Sequence, residues 1–234
     1  MEQKLIQQLQ AQATEIQKTT SKGQKITLKA EAAIKKDFIS FASKMLEKPF
    51  VVDAENRQQI NAIFSVLVFG WIDSTSESIL AQKMALSKGF LIMGNFGTGK
   101  SILMRAISEF KRAIKQPTFR FITASEACQH YKLTGSIDLY TYNDEGIQGK
   151  PVTCCFDELG REPEKVDNYG TKMDVMSQIL QDRYTLWQSK GLITHYITNM
   201  SIVEIKQRYG EFIVERLLEQ CNLVVFDGKS RRKN

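Results

Sequence analysis

The stretch GNFGTGKS, residues 94–101, sets three glycines, a lysine and a serine within eight positions. Successive backbone N–H groups in a bare turn, backed by a helix N-terminus, form a cradle for a polyphosphate. The stretch fits the pattern G-x-x-x-x-G-K-[ST] in full, and the flanking GFLIM and ILMRAISEF supply the strand and the helix that the pattern requires. Gly94 and Gly99 would let the chain wrap the phosphates without a clashing side chain, with Asn95, Phe96, Gly97 and Thr98 completing the loop. Lys100 would reach the β- and γ-phosphates of ATP, and Ser101 would bind Mg²⁺. A glycine turn that merely joins a strand to a helix is the plainer alternative.

A cradle only binds, so hydrolysis needs carboxylates at another strand end. VTCCFDELG closes an apolar run on Asp157 and Glu158, at the carboxyl edge of the expected sheet, where ligands of open α/β folds collect. Asp157 would hold Mg²⁺, and Glu158 would orient and polarise a water for in-line attack on the γ-phosphate. A glutamate beside the metal-binding aspartate favours hydrolysis over transfer to a small acceptor. The alternative is a solvated acidic pair ending a strand. In LITHYITNM, Asn199 follows another apolar run, where its amide could touch both γ-phosphate and water; it also suits a plain turn before a helix capped by Ser201.

These groups need elements to hold them. From Gly89 onward short apolar runs, FLIM, FRFIT, VTCCF, LITHYIT and NLVVF, alternate with helical stretches, the pattern of a parallel sheet covered on both faces. Upstream, Leu5, Leu9, Ala13 and Ile16 recur at helical spacing, as do Ala30, Ile34, Phe38, Phe41 and Met45. Two amphipathic helices are expected, the second stopped by Pro49, their apolar faces covered either by the main domain or by a partner protein. Asp53 is placed to cap a helix carrying Ile60, Ile63, Phe64 and Leu67, which leads into the polar DSTSES. The reading is a helical segment over residues 1–48 and an α/β domain over 49–234.

Bulk properties set limits. With 234 residues and 42% hydrophobic content the chain can bury one large core. A net charge of +6 leans toward an acidic partner without deciding on one. Cys128, Cys154, Cys155 and Cys221 show no C-x-x-C spacing, which argues against a zinc knuckle or disulfide framework and suggests a reducing, cytoplasmic home. The start MEQKLIQQLQ lacks a signal-peptide core. No run approaches the ~20 apolar residues of a membrane span.

The ordered series GNFGTGKS, CCFDELGREP, NYGTK, ILQDRY, ITNMS, RYGEFIVERL and GKSRR resembles the AAA+ ATPases of the DnaC/IstB group, above all DnaC-type helicase loaders, over roughly residues 50–234. The resemblance implies a P-loop three-layer sandwich without a helical lid domain, ATP and Mg²⁺ as ligands, single-stranded DNA binding, self-association into a spiral or ring through the ATP site, and delivery of a replicative DnaB-type helicase. By this likeness residues 94–101 match Walker A, Asp157 and Glu158 match Walker B, and Asn199 matches sensor 1. Arg216 matches the arginine finger reaching a neighbour's ATP site, and Arg232 aligns with a further family arginine. Without the likeness, Arg216 reads as a surface ion pair with Glu215 or Glu219. Tyr131, Tyr140 and Tyr142 could stack on bases, and Arg183 could sit at a subunit contact or cover a helix end. Two other functions remain open: an IstB-like transposition helper acting with a transposase on duplex DNA, and a binding module that uses nucleotide for assembly alone.

Overall fold

Five apolar runs form one sheet in a computed structural model, which describes residues 28–72, 83–142 and 150–231 together with Gln7. The expected helix carrying Leu5, Leu9, Ala13 and Ile16, the DSTSES loop and Arg232 lie outside the described residues. In chain order the strands are β1 (Gly89–Gly94), β2 (Arg120–Thr123), β3 (Cys154–Leu159), β4 (Val166–Asn168), β5 (Thr171–Met173), β6 (Thr194–Thr198) and β7 (Cys221–Phe226). The main sheet is parallel throughout with order β2-β3-β6-β1-β7, and β4 pairs with β5 as a small antiparallel hairpin.

Side chains alternate across a strand, so each buried strand feeds two cores. Phe90, Ile92, Cys155, Ile197 and Val224 face helices α1 (Leu28–Met45), α2 (Arg57–Phe64) and α3 (Lys100–Ala113). Leu91, Met93, Cys154, Phe156 and Tyr196 face α4 (Ala124–Thr134), α5 (Val175–Lys190), α6 (Ile202–Tyr209) and α7 (Glu211–Gln220). The result is the three-layer α/β sandwich expected from the strand pattern. All four cysteines are buried free thiols, and among the described residues no helix is long and apolar enough to cross a membrane.

Helix α1 covers its apolar face on the main core: Ile34, Phe38 and Ala42 are buried, and the Phe38 ring lies 4.7 Å from that of Phe64 and 5.4 Å from that of Phe110. Ala42 has no exposed surface, so Ala42→Leu should overpack the seat and lower stability by about 1–3 kcal/mol in urea unfolding. Were the helix standing off the core, the same change between two good helix formers would move stability by less than about 0.5 kcal/mol.

Two boundaries differ from expectation. Helix α1 ends at Met45, ahead of Pro49, because Glu47 adopts a left-handed φ of 54° and Lys48 N–H turns back to the Ser43 carbonyl at 3.2 Å. Asp53 does not cap α2; that helix starts after Asn56, and the Asp53 carboxylate is taken by Arg231 at 2.9 and 3.0 Å.

Candidate nucleotide site

Strand β1 delivers the glycine loop at the sheet's carboxyl edge. At Gly94, φ is 131° and a Cβ would stand 2.1 Å from the Phe226 carbonyl oxygen of β7, so any side chain there would push the loop off its neighbouring strand. Gly99, with φ of 98°, turns the chain into α3, which begins at Lys100. The first N–H groups of that helix have no partners within the helix and present positive charge to the loop.

The ends of β6 and β3 bring the other groups. Lys100 Nζ donates to the carbonyls of Gly94 at 2.7 Å and Asn95 at 2.8 Å and to Asn199 Oδ1 at 2.7 Å. Asn199 thus sits at the lysine, directly after β6. From β3, Asp157 accepts a bond from Ser101 Oγ at 2.9 Å and another from the Glu158 N–H at 2.9 Å. Burial raises the Asp157 carboxyl above its usual range, against the lowering effect of those two bonds. A hydroxyl and a carboxylate in contact form a hard-oxygen pair of the kind Mg²⁺ accepts. Glu158 has a left-handed φ of 57°, and its Oε1 pairs with Arg161 Nη1 at 2.8 Å.

Lys100, Ser101, Asp157, Glu158 and Asn199 all line one cleft of about 420 Å³, together with loop residues 96–99. Its other half is apolar, formed by Leu46, Pro49, Phe50, Val51 and Ile60. A site polar at one end and apolar at the other suits a nucleotide, with phosphates on the loop and a base against the hydrocarbon wall.

Arg216 does not line the cleft. On α7 its guanidinium lies 3.6 Å from the centroid of the Phe212 ring and 4.6 Å from that of Tyr184, a cation–π contact in place of the anticipated acidic partners. Arg183 is fully buried, bonded by Nε to Thr194 Oγ1 at 2.8 Å and by its Nη atoms to the Val152 carbonyl at 3.0 and 2.9 Å; it neither covers a helix end nor meets a partner. Tyr131 and Tyr140 are core residues, 4% and 6% exposed, which removes them as base platforms.

Two contributors escaped sequence reasoning. The 46–56 segment walls the apolar half, and Arg231 ties it down: its N–H donates to the Gly97 carbonyl at 2.8 Å, Nη1 to the Thr98 carbonyl at 3.1 Å, and Nη2 to Asp53. The hydrogen bond from Arg231 holds the Asp53 carboxyl below its usual range. Nothing local in the terminal GKSRR marks Arg231 for the loop, since its partners Thr98 and Asp53 lie 133 and 178 positions away.

No protein-family model matches the sequence, and no curated protein sequence matches it. Solved structures do share its fold. A primosome component from Streptococcus pyogenes serotype M3 superposes with TM-score 0.50 at 18% identity, covering 77% of this chain and 84% of that one. The DnaC helicase loader gives TM-score 0.50 at 18% identity over 75% of this chain and 92% of the other. Domain III of the Thermotoga maritima replication initiation protein DnaA gives TM-score 0.50 at 11% identity over 76% and 65%.

Proposed function

We propose that this chain, which has the fold of a DnaC-type AAA+ P-loop domain, is an ATPase that loads or recruits a replicative helicase. The observation that carries the reading is the convergence of Lys100 and Ser101 after β1, Asp157 and Glu158 on β3 and Asn199 after β6 upon one cleft. Neighbours in fold that are a helicase loader and a primosome component support the replication role. The division into a helical segment over 1–48 and an ATPase domain over 49–234, and a cytoplasmic home, belong to the same proposal.

The roles follow from position. Residues 94–99 wrap the triphosphate, and Lys100 exchanges its carbonyl partners for phosphate oxygens, since an ammonium prefers an anion to a neutral acceptor. Asn199, already on Lys100, would reach the γ-phosphate and the attacking water with its amide. Ser101 and Asp157 would hold Mg²⁺, which when bound neutralises charge on the β- and γ-phosphates. Glu158 orients the water and draws its proton. Arg216, outside its own cleft, serves the site of an adjoining subunit, where a guanidinium fork stabilises charge on the transferring phosphoryl group. Arg232, by the family likeness, adds a further contact at the nucleotide.

Single-strand binding is part of the proposal, and the β4–β5 hairpin supports it. Tyr169 at its tip is 98% exposed with a left-handed φ of 47°, between the exposed Lys165 and Lys172. An exposed aromatic ring offers a face on which a base can stack. Tyr169→Ala should weaken binding of a fluorescent oligothymidine by about 5- to 150-fold in anisotropy titrations, as loss of one stacking contact of about 1–3 kcal/mol requires; unchanged affinity would place DNA elsewhere. For the biological role, affinity purification of the full chain from its host should recover a DnaB-type helicase in the presence of ATP. Recovery of a transposase instead would support the IstB-like alternative.

A further inference from the structure

Strand β3 does not run smoothly to its end. Its register with β6 shifts between Phe156 and Leu159, and Glu158 within that bulge holds a φ of 57°. A bulge re-aims side chains, and a left-handed non-glycine persists only where its surroundings fix it. Beyond the Glu158 N–H on Asp157 Oδ1 at 2.9 Å and the Arg161 N–H on the Glu158 carbonyl at 3.1 Å, two bonds hold the residues that follow. Thr198 Oγ1 donates to the Leu159 carbonyl at 2.7 Å, and the Gly160 N–H donates to Glu162 Oε2 at 2.8 Å.

Glu162 is a carboxylate whose side chain is 0% exposed, in a stretch whose charges otherwise face solvent. Its Oε1 accepts from the Tyr209 hydroxyl and from Arg208 Nη2, the latter at 3.1 Å. Arg208 in turn donates from Nη1 to Asp174 Oδ2 at 2.7 Å. Burying such charges is costly and gains little stability over an apolar cluster, the more so because Arg208 Nε is buried without a hydrogen-bond partner; what the remaining bonds to Glu162 and Asp174 supply is a fixed geometry. Arg208 and Tyr209 end α6, and only Gly210 separates them from α7, which carries Arg216.

We infer that Glu162 and Arg208 are positioning residues for Glu158: they lock the bulged end of β3 and tie it to the α6–α7 pair. The inference rests on the ATPase reading above. A push on α7 by an adjoining subunit is thereby passed through Arg208, Glu162 and the Gly160 N–H to the carboxylate two residues away. The lock acts on the catalytic geometry and leaves the phosphate cradle, which is built on β1 and α3, unaffected.

Arg208→Met tests this in the full chain, because methionine keeps the stem and removes every bond. Turnover should fall about 10- to 100-fold, the usual cost of loosening a supporting shell, while ATP affinity by calorimetry stays within about twofold. Arg208→Lys, which keeps the charge against Glu162, should recover much of the loss. Amide exchange over residues 157–162 should quicken in Arg208→Met without nucleotide. In a Glu158→Gln background the same change should cost nothing further, since residues acting through one group are not additive. Losses that multiply in that background, or a loss of ATP affinity equal to the loss of turnover, would overturn the inference alone. Absence of Glu158-dependent turnover in the unmodified chain would overturn the ATPase reading, and the inference with it. If Arg208→Met does not fold, Tyr209→Phe, which removes only the hydroxyl on Glu162, carries the same comparison.

Discussion

Glu158→Gln is expected to bind ATP as tightly as the unmodified chain and to hydrolyse it about 10²- to 10⁴-fold more slowly, the range for loss of a general base. The substitution keeps size and polarity but cannot take a proton. The Glu158 carboxylate pairs with Arg161 at 2.8 Å, in a pair whose side chains are 54% and 36% exposed, while the loop lysine, Lys100, donates to Gly94, Asn95 and Asn199. An ion pair that open contributes about 0–1 kcal/mol, so it neither holds the carboxylate away from a substrate water nor stabilises the fold appreciably. Binding and turnover should separate cleanly, with phosphate release slowed and the nucleotide isotherm unmoved. Equal loss of both would show that Glu158 acts on the ground state, and normal turnover would remove it from the reaction.

The second large effect is in trans. Arg216→Ala is expected to lower turnover about 10³-fold or more, as removal of a guanidinium serving a partner's phosphoryl group does, while ATP affinity in its own cleft is kept. Its alternative is local: the guanidinium covers Phe212 and Tyr184, and loss of such an exposed contact costs only about 0.5–1 kcal/mol of stability. Mixing separates the two. Lys100→Ala lacks a working cradle but keeps Arg216, and Arg216→Ala keeps its cradle. Combining two silent variants should restore part of the activity if the arginine crosses a subunit boundary. A mixture as silent as its components would return Arg216 to a local role.

The parts legible in the sequence were those whose logic is local. Residues 94–101 and the Asp157–Glu158 pair announce themselves because a phosphate cradle and a strand-end carboxylate each need only neighbouring residues. The sheet was legible because strands buried on both faces are apolar without interruption. What stayed hidden depends on distance along the chain. The bond from Arg231 to Asp53 spans 178 positions, and no spacing rule reaches that far. Glu162, in a run of charged residues, carries the composition of a solvated loop, yet its side chain is fully buried against Tyr209 and Arg208. Arg183 occupies the turn of α5 where an arginine ordinarily lies outside; here backbone carbonyls of Val152 and Tyr140 satisfy it within the core. Periodicity reports which face a residue is on and not what has folded over it.

Asp53 shows the same limit from the other side. Its place before an apolar helical stretch has the form of a cap, but the helix starts only after Asn56, and the Asp53 carboxylate accepts from the Glu55 N–H at 2.9 Å and from the guanidinium of Arg231. The consequence is functional as well as structural, because that contact fastens the wall of the cleft to the phosphate loop.

Isothermal calorimetry of Mg²⁺·ATP against the full chain tests the convergence of cradle and carboxylates most directly. One site per subunit is expected, weakened about 10- to 100-fold by Lys100→Ala, since a charged hydrogen bond to phosphate contributes about 1.5–3 kcal/mol, and dependent on Mg²⁺ through Ser101 and Asp157. No heat of binding from the folded, unmodified chain, or an isotherm indifferent to both Lys100→Ala and Asp157→Asn, would contradict it.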